Sequence, residues 1–519
     1  MSERVAVIGA GIGGLVAAAL LAARGCEVTV IEKEHRVGGK ARRLAVDGRQ
    51  IDAGPTVFTL KDVFDDVFRA CGSRLEDHLE TRPAAILARH AWSDAERLDL
   101  YADPLRSEAA IGDFAGADAA RGYRAFRAEA RRIYDILDRS LMRSSKVSWP
   151  LPLMWRIGLW RVSDLVAIRP YESLWKVLGE HFADPRLRQL FARYATYCGS
   201  SPFDAPATLM LIAHVEAKGV WTLEGGISAL AAALQALAER QGARFRLGET
   251  VTGIATARGR ASAVELASGE VIAADSVLCN ADPAALASGR FGKAAQRAVG
   301  AVPERRRSLS AFVWLASTRT GGFDLTRHNV FFSPDYPAEF RALAERRPIA
   351  DPSVYVCAMD RDTRDGAAPQ GRERLQIIVN APAYGDGRRH SQEDLERCTR
   401  SMRHSLRRCG LELEEPMPHS LVQPADFETL FPSTGGALYG RDSHGWAASF
   451  LRQGSRTRIP GLYCAGGSTH PGAGVPMAAL SGQIAAQTMM ADRASTRRSH
   501  PAVMPGGTSM PSARTGATG

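Results

Sequence analysis

The chain is poor in lysine, poor in aromatic residues and empty of paired cysteines. Only seven of its 66 basic residues are lysine, and Phe, Trp and Tyr together make up 7% of the sequence. Eight cysteines, at 26, 71, 198, 279, 357, 398, 409 and 464, stand apart with no C-x-x-C pair among them. That spacing excludes a zinc finger, a dithiol redox motif and a disulfide framework. No metal is expected, and a reducing, cytoplasmic setting is. The formal net charge is +10, yet no compact basic motif is present, which argues against a nucleic-acid partner. Arginine-rich base composition accounts for the excess, and so does a positive surface facing anionic lipid. One long apolar run exists, Val5 to Ala23, but it holds Gly9, Gly11, Gly13 and Gly14 within six positions. Such a run makes a poor membrane span and a poor signal segment.

Taken with its flanks, this run is a strand, a glycine turn and a helix, followed by the strand Val28-Thr-Val-Ile-Glu32. Gly9 permits the tight turn, Gly11 clears the approach of a pyrophosphate, and Gly14 lets the helix pack close to the sheet. The helix N-terminus offers free N–H groups to phosphate. Glu32, at the end of the second strand, is placed to accept hydrogen bonds from an adenosine ribose. A dinucleotide site is the expectation.

Further on, Gly38-Gly39-Lys40-Ala-Arg42 suits a loop beneath a phosphate or ribitol, unless it is a plain surface turn. Asp52-Ala-Gly54-Pro55-Thr56 reads as a strand end and a rigid turn. Residues 57 to 145 are expected to be mostly amphipathic helix, with Tyr123, Phe126, Ile133, Tyr134, Leu137 and Leu141 as core. Between Lys146 and Leu178 lie Trp149, Trp155, Trp160 and Trp175, interleaved with basic residues. That stretch fits a helix in the membrane interface or a buried helical subdomain around a hydrophobic pocket. Gly225-Gly226 precedes an amphipathic helix, Ala229 to Arg240, with Ser228 as expected N-cap. Short runs from 243 to 272 read as a small meander, and Asp275 to Pro283 as a parallel strand returning to a central sheet. From 308 to 420, aromatic-rich strands separated by helices suit an antiparallel sheet with helices on one side. Finally, Ile459 to Gly482 is a strand, a glycine loop and a helix start, and the tail beyond Ala491 reads as disordered.

Together Gly9 to Glu32, Gly38-Gly39-Lys40, Asp52-Ala-Gly54-Pro55, Asn280-Ala-Asp282 and Gly466 to Gly482 resemble the bacterial carotenoid desaturases, the phytoene-desaturase family of flavoproteins. The likeness covers residues 4 to 490. Phe312-Val-Trp314, Arg327-His328-Asn329 and Asp360-Arg-Asp362 look most like the 1-hydroxycarotenoid 3,4-desaturase branch. Two departures concern substrate details: Thr222-Leu-Glu224 stands before the second glycine pair where many members have proline, and Arg43 stands where serine or threonine is common.

The resemblance implies an α/β fold. A Rossmann-like FAD domain would take residues 1–80, 225–290 and 455–491, and a mixed-sheet substrate domain 81–110 and 291–454. Residues 111–224 would form a helical, membrane-associating subdomain, and 492–519 a disordered tail. It also implies FAD, with Glu32 on the ribose, Lys40 and Arg42 along the diphosphate, and Val251 and Asn280 contributing to the cofactor site. Gly54, Pro55 and Thr56 would lie near the flavin ring. Gly466 and Gly467 would flank the diphosphate, with Gly474 and Val475 at a helix N-terminus beside the flavin O2. The implied partners are an acyclic hydroxylated carotenoid, the inner membrane surface, and oxygen or quinone as electron acceptor.

No strong catalytic base is singled out. Asp52, His328, Asp360, Asp362 and His470 are the polar groups that could approach the ring, with Asp52 and His470 foremost. Phytoene desaturation, carotene isomerisation, amine oxidation and a non-enzymatic prenyl-binding role are the alternatives.

Overall fold

A computed structural model describes residues 2–144, 167–362, 369–446, 448 and 451–498. At its centre lies a five-stranded, wholly parallel sheet, built from Arg4–Ile8, Glu27–Glu32, Arg244–Leu247, Ser276–Cys279 and Leu462–Cys464. Numbered along the chain, the strands run 3-2-1-4-5 across the sheet, the doubly wound order that leaves a crevice where the direction of winding reverses. Helix Ile12–Ala22 follows the first strand and is buried along its whole length, as its alanine and leucine content dictates. Helices Ile227–Arg240 and Val475–Arg498 pack into the same core. That packing is tight because the contact residues are small: a Cβ at Gly482 would stand 2.3 Å from the Gly13 carbonyl oxygen.

An antiparallel meander, Val251–Ala257, Arg260–Leu266 and Val271–Ala273, sits between the third and fourth parallel strands. The second large sheet has seven strands. In spatial order these are His419–Val422, Ser310–Thr318, Glu373–Ala381, Val354–Ala358, His328–Phe331, Ile86–Ala91 and Arg97–Tyr101. Only the pair His328–Phe331 and Ile86–Ala91 is parallel, so the sheet is mixed. Helices Pro104–Ala115, Ala117–Leu137, Leu174–His181, Pro185–Ala192 and Leu211–Ala217 form a helical layer that closes over it. Among the described residues no helix is long and apolar enough to cross a membrane.

Several expectations need correction. Residues 81–101 are three strands, not helix, because their side chains find cross-strand partners that outweigh helical propensity: Arg89 faces Asp99 across the ladder. Arg244–Leu247 joins the parallel sheet and not the meander. Ser228 lies inside its helix, whose N-cap is Gly226. The last helix continues past Ala491 to Arg498, held by Asp492 against Arg456 and Tyr463 and by Arg493 against Glu3. Trp149, Trp155 and Trp160 lie outside the described residues. Trp175 is half-buried, with ring centroids 4.9 Å from Phe203 and 6.2 Å from Tyr336.

Candidate active site

One cavity of about 880 Å³ opens at the carboxyl ends of the parallel strands and runs beneath the seven-stranded sheet. Its first compartment is polar and glycine-lined. Gly9 and Gly11 leave the first strand, Gly38 and Gly39 cross below, and Gly466, Gly467 and Gly474 close the far side. Gly14 is not in the wall. A Cβ there would stand 2.2 Å from the Gly9 carbonyl oxygen, so this position serves helix-to-strand contact. A Cβ on Gly467 would meet nothing within 4 Å, so bare backbone faces the open space.

Glu32 is buried in this wall, its carboxylate accepting the Ala10 N–H at 2.7 Å and the Glu34 N–H at 3.0 Å. Those two bonds fix the carboxylate and leave lone pairs for hydroxyl donors. Asn280 fills the space between the two glycine loops, and its Oδ1 is buried without a hydrogen-bond partner. Lys40 lines the cavity and donates to the Leu438 carbonyl; burial pushes its pKa down, with Asp282 opposing. Arg42 also lines the cavity. So does Arg452, which the sequence did not single out; it is buried and donates to the Tyr439 and Arg441 carbonyls at 2.8 and 2.7 Å. Val251 and the N-terminal residues of helix Val475–Arg498 complete the compartment.

At the junction with the second compartment stand Gly54, Pro55 and Thr56. Gln376 ties this turn to the mixed sheet by donating to the Gly54 carbonyl at 2.9 Å. Thr56 Oγ1 lies 2.7 Å from the Tyr355 hydroxyl, which in turn lies 2.7 Å from His328 Nδ1. Burial, with the charges of Arg327 and Arg193, pushes His328 down to about 3, so its ring is neutral. Beyond this point most of the wall is apolar and aromatic, including Val313, Val330, Phe332, Tyr336 and Ile378, with Arg193, Tyr197 and Glu216 as polar exceptions.

The two foremost catalytic candidates stand apart from this cavity wall. Asp52 accepts from Arg43 Nε at 3.1 Å, from the Ile227 N–H at 2.8 Å and from Ser228 Oγ at 2.6 Å, so it caps the helix that Gly226 begins. Gly226 is required there, since a Cβ would stand 1.9 Å from the Asp52 carboxylate. His470 bonds the Leu141 carbonyl through Nε2 at 2.9 Å. Asp360 pairs with Arg374, and Asp362 accepts the Arg327 N–H. Sequence reasoning missed Arg193, Tyr197 and Glu216, polar residues in the wall of the second compartment, and Tyr355 and Gln376 at the junction. Tyr355 and Gln376 have partners distant in sequence, Arg193 and Tyr197 pair within one turn but meet Glu216 only across the fold, and no local pattern marks any of them.

A doubly wound sheet that brings two glycine loops, a buried carboxylate and cationic side chains into one cavity is the arrangement of a dinucleotide-binding protein. The chain belongs to the flavin containing amine oxidoreductase family, whose model matches residues 12–490. Its cofactor is FAD. The chain is 50% identical to a hydroxyneurosporene desaturase from Rubrivivax gelatinosus, covering 99% of this chain and 98% of that one. It is 45% identical to a hydroxyneurosporene desaturase from Cereibacter sphaeroides, over 95% and 99% of the two chains. In fold it is similar to an oxidoreductase from Methanosarcina mazei, with a TM-score of 0.58 at 16% identity, covering 94% of this chain and all of that one.

Proposed function

We propose that this chain desaturates the C3–C4 bond of acyclic 1-hydroxy or 1-methoxy carotenoids. The observation that carries the reading is near-full-length identity of 50% to a hydroxyneurosporene desaturase, joined to a single cavity with a polar cofactor end and an apolar far end. When bound, FAD supplies the two-electron acceptor for a hydride leaving an allylic carbon. Glu32 would hold the ribose, Lys40 and Arg42 would supply positive charge to the diphosphate with the Gly466-Gly467 backbone beside it, and Gly54, Pro55 and Thr56 would lie near the ring. The N-terminus of helix Val475–Arg498, with Gly474 before it, would offer free N–H groups to an electron-rich atom of the cofactor and would favour negative charge there.

Hydride loss beside a polyene leaves a delocalised cation, itself a strong acid, so water or a weak base takes the proton that follows. The placement of Asp52 and His470 away from the cavity wall supports a reaction without a dedicated strong base. The apolar wall excludes bulk water from the reacting bond. A polyene of this kind is met at a membrane, so peripheral association of the helical layer with the inner membrane belongs to the proposal, with oxygen or quinone reoxidising the cofactor.

The test is incubation of the FAD-loaded protein with a 1-hydroxyneurosporene-type substrate and with a plain acyclic carotenoid, followed by chromatography. A product with one added double bond at C3–C4 from the hydroxylated substrate is expected. Conversion of the plain substrate alone would overturn the assignment.

A further inference from the structure

An apolar tail has no need of a buried ion pair, yet the second compartment is lined by one. Arg193 and Glu216 are each 5% exposed, and both line the cavity with Tyr197. Glu216 accepts from the Tyr194 hydroxyl at 2.6 Å through Oε2 and from the Tyr197 hydroxyl at 2.8 Å through Oε1. Arg193 Nη1 donates to the Tyr197 hydroxyl. Its Nη2 stands 3.6 Å from Glu216 Oε1, too far for a hydrogen bond, and neither Nη2 nor Nε has a hydrogen-bond partner. A buried guanidinium with two idle N–H groups is costly to maintain, and a ligand acceptor is the economical way to satisfy it. The cluster shares one cavity wall with Thr56 and Tyr355, which stand at the junction with the cofactor compartment.

We propose that Arg193 Nε–H and Nη2–H hold the oxygen on C1 of the carotenoid, with Tyr197 and Glu216 fixing the guanidinium; this rests on the substrate reading above. The oxygen sits two carbons from the C3–C4 bond. Anchoring it sets which bond lies against the ring, so the cluster determines regiochemistry as well as substrate choice. A site made of donors reads lone pairs, which hydroxyl and methoxyl oxygens share. It therefore accepts both and discriminates against the unsubstituted chain end, which leaves the guanidinium unsatisfied.

The experiment compares kcat/KM for 1-hydroxy, 1-methoxy and unsubstituted acyclic carotenoids in the FAD-loaded wild type, Arg193→Lys, and the charge-neutral pair Arg193→Met/Glu216→Gln. Flavin absorbance reports that each variant is loaded. In the wild type both oxygenated substrates are expected to exceed the plain one. In the variants the oxygenated-to-plain ratio is expected to fall about 10- to 100-fold, and desaturation at bonds other than C3–C4 is expected to appear. An unchanged ratio in flavin-loaded Arg193→Lys would overturn the proposal. So would a wild type that converts all three substrates equally, although that result leaves the desaturase intact. A wild type that converts none of them refutes the desaturase reading itself.

Discussion

Gly14 and Gly467 both belong to glycine-rich segments that follow strands of the parallel sheet, yet they do different work. Gly14 has no room: an added Cβ would stand 2.2 Å from a main-chain oxygen that cannot swing away. Gly14→Ala is therefore expected to destabilise the whole protein by about 3 kcal/mol or more, with loss of soluble yield and a lower melting temperature even without cofactor. Gly467→Ala meets nothing within 4 Å. Its apoprotein is expected to melt like wild type while its affinity for FAD falls. Equal melting of the two variants without cofactor would show that the helix can shift to absorb the extra atom. Glu339 is a second residue with a defined consequence. Burial pushes its carboxyl up to about 7, against hydrogen bonds from the Ser353 N–H and hydroxyl that favour the charged form. The folded state thus holds a proton that the unfolded chain has released between pH 4.5 and 7. Its contribution is full below that window and declines as pH rises through it, by at most about 3 kcal/mol. Glu339→Gln keeps the acceptor oxygen and removes the titration. Urea melts of variant and wild type at pH 5 and pH 8 are expected to show the variant gaining relative stability at the higher pH. An equal difference at both values would place the titrating proton elsewhere.

At the scale of elements, the segment 81–101 shows where local reading ends. Ile86–Ala91 is rich in leucine, alanine and arginine, all good helix formers, and its alternation is blurred because both sheet faces meet protein. What makes it a strand is its register: Arg89 stands opposite Asp99, with Nε and Nη2 each 2.8 Å from a carboxylate oxygen, and Nη1 reaches Asp324. Arg89→Ala leaves a largely buried Asp99 without its partner and is expected to cost about 2–4 kcal/mol. Denaturant melts of Arg89→Ala, Asp99→Asn and the double variant form the cycle, and additive losses would deny the coupling. By contrast, the strand Arg4–Ile8, its glycine turn and the strand ending at Glu32 were legible because every determinant lies within thirty residues. The role of Asp52 was not. Its partners Ile227 and Ser228 are more than 170 positions away, and a carboxylate near a glycine-proline turn looks equally suited to a cap or to chemistry. Arg193, Tyr197 and Glu216 fail for the same reason: their meaning arises only when two helical segments meet across a cavity.

In the whole molecule, the cofactor compartment is assembled from the two ends of the described chain. The Gly9-to-Gly14 turn, Asn280 and the Gly466-to-Gly474 loop touch one another, and a Cβ at Gly13 would stand 2.9 Å from Gly466 Cα. On the proposed binding mode, FAD would bridge segments that are more than 450 residues apart in sequence. Mass action then requires that stability rise with free FAD, by about 2.7 kcal/mol at a hundredfold excess over Kd. The melting temperature is accordingly expected to climb with the logarithm of FAD concentration, without a plateau. A Gly11→Ala variant is expected to respond weakly, because its Cβ would stand 2.7 Å from the Asn280 amide and crowd the diphosphate path. The location of the gain is the sharper test. Hydrogen exchange on adding FAD is expected to slow together in strands Arg4–Ile8, Ser276–Cys279 and Leu462–Cys464 and at the start of helix Val475–Arg498. Protection confined to the first strand and its turn would mean that the far loop is not part of the cofactor site, and that the chain ends are joined by packing alone.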